Sequence, residues 1–211
     1  MKTVLRYLFL SVIVAVFCSG CQPLASALYV MSGEGDIKAQ YAGLKEKRVV
    51  VVCRSVSALQ YQNSGAAKEI AKQVGIRLKS HIKKVDLVPR NDIDHWMDEN
   101  NNDDFVAIGK GLKADLVVGI DLESFSLYQG ANVYRGNAVT NVTVYDIKDR
   151  GEIAWDRKLP KILFPPNSDV PASEKPEAEF RQKFVEKIAE TIAHQFYDHP
   201  LAEDFAVEGD Y

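Results

Sequence analysis

Apolar and polar positions divide the chain into blocks whose period changes several times. Arg48-Val-Val-Val-Val-Cys53 is a short unbroken run of mostly β-branched residues, the pattern of a strand covered on both faces. After a polar loop over 55–65, Ala67, Ile70, Ala71, Val74, Leu78 and Ile82 recur every three or four residues and form one stripe of a helix. Lys79, His81, Lys83 and Lys84 crowd the end of that helix, where cations complement its dipole, so His81 is read as a terminal cation rather than a ligand. Val85-Asp-Leu-Val-Pro89 is a second short strand, which Pro89 limits or places near an edge. Asn91 is the expected cap of a short helix through Ile93, Trp96 and Met97; Asp103 or Asp104 caps the next, through Phe105, Ile108 and Leu112.

From Ala114 the period is two. Leu116, Val118, Ile120 and Leu122 alternate with more polar or smaller neighbours, and beyond Ser124 the apolar set shifts phase to Phe125 and Leu127, which predicts a bulge. A turn at 129–132 leads to a long partner strand over 133–147, and Asp149-Arg-Gly151 turns into a third strand over 152–159, completing an antiparallel meander. Pro160, Pro165, Pro166, Pro171 and Pro176 mark an extended connection unsuited to a central strand. Phe180, Phe184, Ile188, Ile192 and Phe196 then repeat every four residues in the clearest helix, with Ser173 and Glu174 as its expected start and His199-Pro200 as its end. The order β-α-β-α-α-β-β-β-α predicts a single α/β (α+β) domain. Its mixed sheet contains the three-stranded meander and is packed by amphipathic helices, including the long C-terminal one.

Composition narrows the classes. The 211 residues are 46% hydrophobic and carry 26 Lys and Arg against 29 Asp and Glu. That is too apolar for a disordered chain and lacks the basic excess of a nucleic-acid binder. The beginning of the chain is an address: Lys2 and Arg6 precede an uncharged apolar run from Tyr7 to Phe17, about half the length of a membrane span of roughly 20 residues. Cys18-Ser-Gly-Cys21 resembles the bacterial lipobox, with Cys18 standing where Leu is usual. By that resemblance residues 1–20 are a lipoprotein signal peptide, Cys21 receives diacylglycerol and fatty acid, and 21–46 form a lipid anchor and flexible tether. Gln22, where Asp would favour the inner membrane, implies the outer membrane, with the domain facing the periplasm. The alternative is cleavage after Ala25-Ser-Ala27 and a soluble secreted product. Loss of residues 1–20 removes Lys2, Arg6 and no acid, which moves the formal charge from −3 to −5. With Cys18 removed and Cys21 acylated, Cys53 is left without a disulfide partner and is read as a buried small hydrophobe.

Residues 47–199 resemble the periplasmic lipoprotein domains of the curli-secretion (CsgG-like), penicillin-binding-protein-activator (LpoB-like) and TolB amino-terminal type. The resemblance lies in the start at Lys47 to Val52, the helix after it, Val88-Pro-Arg90, the turn from Lys148 to Glu152, and above all Ala107-Ile-Gly-Lys-Gly-Leu-Lys-Ala-Asp-Leu-Val-Val-Gly-Ile120. It implies the fold more than a function. The secretion-channel relative carries long transmembrane hairpins within this domain, and no corresponding pair of alternating segments occurs here, which counts against a pore.

Candidate chemistry is sparse. The stretch from Asp98 imitates a calcium loop but has Asp103 where Gly is needed and Gly109 where Glu belongs. Gly109-Lys-Gly-Leu-Lys-Ala114 imitates a dinucleotide loop but runs from helix to strand, the wrong order. His194 and His199 are five apart, off the spacing of two ligands on one helical face. Asp121 and Glu123 share a strand face and are the first suspects for an enzyme with a dispersed site. The sequence therefore predicts no catalytic set, no metal and no cofactor. It predicts a membrane-anchored, non-catalytic binding or accessory module for another envelope protein, without nucleic acid and with the oligomeric state left open. The alternatives are a subunit of an envelope secretion or export assembly, and the dispersed-site enzyme. The expected segments are thus 1–20, 21–46, 47–199 and an acidic tail over 200–211.

Overall fold

The computed structural model describes residues 36–56, 60–201 and 203. The elements run β1 (Asp36–Ile37), β2 (Arg48–Ser55), α1 (Gln60–His81), β3 (Asp86–Leu87), α2 (Arg90–Asn100), α3 (Phe105–Gly111), β4 (Leu116–Tyr128), β5 (Val133–Asp146), β6 (Glu152–Lys158), β7 (Ile162–Phe164), β8 (Val170–Pro171), α4 (Glu177–Ala193) and β9 (His199–Pro200). The main sheet has the order β3-β2-β4-β5-β6. β2 pairs in parallel with β3 and β4; β4, β5 and β6 form the antiparallel meander. This is the predicted mixed α/β architecture.

The Val run of β2 is covered twice because its alternate residues enter two different cores. Val49, Val51 and Cys53 join α1, α4 and the apolar face of β4 and β5. Val50 and Val52 join Ile93 of α2 and Phe105 and Ile108 of α3. β4 behaves likewise at first, with Leu116, Val118 and Ile120 on the α1/α4 side and Val117 on the other. The register slips between Leu122 and Ser124, the bulge expected from the phase change, and Phe125 and Leu127 thereby stay on the α1/α4 side. α4 lays its stripe over this half: Phe184 stacks on Phe125 and Phe164, and Phe180 on Tyr134.

Asp115 fastens β2, β4 and the end of β5 together. Its carboxylate accepts the Arg48 backbone N–H at 2.8 Å and the Lys148 ammonium at 2.7 Å. Its own N–H donates to the Arg48 carbonyl, and its carbonyl accepts from Ile147. The Lys148 bond and the Arg48 N–H hold its carboxyl below the usual carboxylate range. The phrase Ala114-Asp-Leu-Val-Val-Gly119 is thus structural at both ends, since a Cβ on Gly119 would lie 2.6 Å from the Phe105 ring.

Several boundaries differ from the sequence reading. Residues 36–46 of the segment expected to be a flexible tether are folded: β1 pairs antiparallel with β9, the Gln40 and Tyr41 N–H groups bond the Gln195 carbonyl, and Leu44 is fully buried. The rest of that segment, and the signal peptide over 1–20, lie outside the described residues. Pro200, assigned to the acidic tail, is part of β9. α1 begins at Gln60 rather than after Gly65. α2 starts at Arg90 with Pro89, not Asn91, at its cap, and α4 starts after Pro176 rather than at Ser173. Asp104 caps α3 as expected, accepting the Ala107 N–H at 2.7 Å. The proline-rich connection contains two short strands, β7 and β8, which take over pairing with β5 where β6 leaves it.

Two measurements check this packing. Asp115→Ala should lower unfolding free energy in urea by about 1–2 kcal/mol at neutral pH, for hydrogen bonds to a charged acceptor with one partner in water. A carboxyl lowered by folding stabilises above its unfolded value near about 4 and loses that contribution as pH falls through its folded value. The variant should therefore lose less stability than wild type on acidification from pH 5. Thr140→Val should raise stability by about 1 kcal/mol, because it removes a fully buried hydroxyl that has no hydrogen-bond partner among the described residues.

Candidate functional site

The outer edge of the sheet is first interrupted where β6 gives way to β7. β6 ends at Lys158, Leu159 still donates its N–H to the Thr140 carbonyl at 3.0 Å, and Pro160 then supplies no N–H, so pairing resumes only at Ile162. Leu159 and Ile162 are buried and anchor the two sides of the break. At the break opens a cavity of about 570 Å³ that Arg157 and Lys161 line. α4 supplies a second wall through Lys187, Thr191 and His194, and the β1/β9 pair a third through Ile37, Lys38 and His199. No carboxylate among the described residues lines it.

The wall behind these cations is fixed by rings. His194 closes α4, its N–H bonded to the Glu190 carbonyl at 2.9 Å. The chain then turns back, so that His199 stacks on it with centroids 3.7 Å apart. Both imidazoles are buried. Tyr197, edge-on to both, has its hydroxyl pushed up to about 12, first by burial. Its ring also stacks flat on His81 at 4.2 Å, while His81 Nδ1 sits 2.9 Å from the Arg77 carbonyl. His81 thus keeps its expected place at the helix end and in addition ties α1 to the segment after α4.

A second groove, about 500 Å³, lies between α1 and the β3–α2 corner, with Gly75, Ile76, Leu87, Pro89 and Ile93 along it. Its cations are engaged locally: Lys72 with Glu69, Lys79 with the Val85 carbonyl, Arg90 with Asp94. The Arg90 pair prevails over burial and holds the Asp94 carboxyl below its usual range.

The residues singled out in the sequence fall elsewhere. Cys21 lies outside the described residues. Asp121 is held by Arg54 at 2.6 Å and Glu123 by Lys158 at 2.5 Å, each carboxylate with its own cation. Arg54 in turn lies over the Phe105 ring at 4.2 Å, so the Asp121 pair is part of the α3 packing. In the stretch 109–114, Gly109 admits Val117 and Ile147 and Gly111 admits Trp96, where a Cβ would meet those side chains at 2.1–2.6 Å. Among the described residues no group of three His, Cys, Asp or Glu side chains is placed to hold a metal, and no helix is long and apolar enough to cross a membrane. Arg157 and Lys161, which line the cavity, went unnoticed; their sequence signal is two cations flanking a strand-breaking proline.

Cys53 is buried, and burial foremost, with Asp121 second, pushes its thiol far above the ordinary range. Iodoacetamide should leave Cys53 unmodified in the folded protein and label it in urea, as read by peptide mass mapping; comparable labelling in both states would contradict the packing.

No protein-family model matches this chain, and no curated protein matches it. Among solved structures, a PelC variant dodecamer from Paraburkholderia phytofirmans aligns over 77% of this chain and 97% of its own at 12% identity and a TM-score of 0.44. Lipoprotein GNA1162 from Neisseria meningitidis aligns over 69% and 97% at 10% identity and a TM-score of 0.43. The LpoB C-terminal domain from Salmonella enterica aligns over 67% and 93% at 16% identity and a TM-score of 0.37.

Proposed function

We propose that the protein is an envelope lipoprotein, held at the periplasmic face of the outer membrane by acyl chains on Cys21, whose α/β domain is a non-catalytic binding or accessory module for another envelope protein. The observation that carries this reading is the sequence Cys18-Ser-Gly-Cys21 placed directly after a charge-free apolar run. Each buried methylene of an acyl chain contributes about 0.8 kcal/mol, so several chains on one cysteine suffice for stable attachment. The 15 residues from Cys21 to the one before Asp36 span at most about 50 Å at roughly 3.5 Å each, which limits how far from the membrane β1 can stand.

The state of the polar groups supports a binding role over a catalytic one. Asp121 and Glu123 each neutralise a cation within the sheet, and Asp115 serves as a structural clamp. These carboxylates stabilise the scaffold instead of presenting a free acid and base to a shared cavity.

The test is Cys21→Ala in cells fed a radiolabelled fatty acid. The wild-type chain should fractionate with membranes and carry label, whereas the variant should lose the label and enter the soluble fraction. Continued membrane fractionation and labelling of the variant would refute the anchor.

A further inference from the structure

Beyond a protein-binding role, we propose that the cavity at the β6–β7 break is a binding site for a small anionic amphiphile: a carboxylate or phosphate head on an apolar body.

Size and wall chemistry fit that class. A volume of about 570 Å³ is within the roughly 300–1,000 Å³ of small-molecule pockets. The apolar part comes from Ile37, Leu163, Pro160 and Pro166, together with the buried sides of Leu159 and Ile162. The polar part is cationic, although the chain as a whole has a formal charge of −3. Among the described residues the lining has cations and no carboxylate, and inside an acidic protein such a lining selects for negative charge in the occupant.

The cations differ in what they have left to offer. Lys38 is held by Asp198 at 2.7 Å and Lys187 by Glu190 at 3.0 Å, so both act mainly as walls. Arg157 donates from Nη1 to Gln40 Oε1 at 2.6 Å, a neutral acceptor, and retains its charge and the rest of its five-donor fork for an anion. Lys161, exposed at the cavity, makes no ion pair among the described residues. The two stand on opposite sides of Pro160, one at the end of β6 and the other just before β7, both fixed by strands that pair with β5. An oxyanion head engaged by Arg157 and Lys161, with its apolar body along Ile37, Leu163 and Pro166, matches both halves of the lining.

The experiment uses the mature-length chain, residues 21–211, carrying Cys21→Ala, so that no acyl chain competes and the result does not depend on the anchor. Octanoate and octyl phosphate, below their micellar concentrations, are titrated by calorimetry beside octanol and octyltrimethylammonium, with a parallel arm of phosphatidylglycerol vesicles. One octanoate or octyl phosphate should bind per chain, at least tenfold more tightly than octanol or the cation. Arg157→Glu and Lys161→Glu should each weaken binding at least tenfold, with Arg157→Lys retaining part of it and urea midpoints unchanged. Binding to vesicles as well would identify a membrane lipid as the natural source, and indifference to vesicles a free acid; either outcome agrees with the proposal. Equal affinity for octanol or the cation, affinity unchanged by both charge reversals, or binding of vesicles but of neither soluble anionic amphiphile would overturn it.

Discussion

The structure depends on the need to cover Val49 to Cys53 on both sides. Alternate side chains of an extended strand point to opposite faces, so five consecutive apolar residues cannot be buried by one layer. Two layers answer that need: α1 and α4 receive Val49, Val51 and Cys53, and α2 and α3 receive Val50 and Val52. β4 pairs with β2 in parallel through seven registered positions, from Val49 opposite Leu116 to Ser55 opposite Leu122. Asp115 sets where that register starts, because its carboxylate and N–H engage Arg48 from the residue just before β4.

The second layer stops where the strands no longer demand it. α2 and α3 cover only the early part of β4, and after the bulge at Leu122 to Ser124 the buried apolar residues of β4 and the facing half of β5 lie on the α1/α4 side. The far edge has still less cover: β6 is exposed along nearly its whole length, with Ile153 at 60% exposure and charges of both signs at Glu152, Asp156, Arg157 and Lys158. Such charge protects an edge from uncontrolled strand pairing. At Pro160, where the edge breaks, it also leaves cations beside an apolar hollow. The candidate site is thus a consequence of how the sheet ends, placed on rigid strands and held at the back by the His194–His199 stack.

Features with a local signal were legible in the sequence. The Phe180, Phe184, Ile188 and Ile192 stripe is fully buried, the phase change after Leu122 is a bulge, and Asp104 caps α3, each following from periodicity or a side chain three residues from its partner. What was missed depends on residues distant in sequence. β1 and β9 are two residues each, too short to show a period, and pair across most of the chain. The five-residue spacing of His194 and His199 argued against proximity on a helix, yet α4 ends at Ala193 with His194 as its cap, and the turn that follows brings the rings together. The same holds for the cavity, whose walls come from β1, the β6–β7 break and α4. Cys21 was legible only as a resemblance, and its chemistry is decided by the membrane experiment rather than by the fold.

The doubly covered β2–β4 pair is the claim on which the rest stands, and native-state hydrogen exchange in increasing urea tests it most directly. Amides buried on both sides open only when the whole domain opens, whereas those of an exposed edge open locally. The amides of Val50–Cys53 and Val117–Ile120 should be the slowest and should exchange only through global unfolding, with those between β5 and β6 exchanging through smaller openings. Exchange of the β2–β4 amides at lower free energy than the β5–β6 amides would contradict the account.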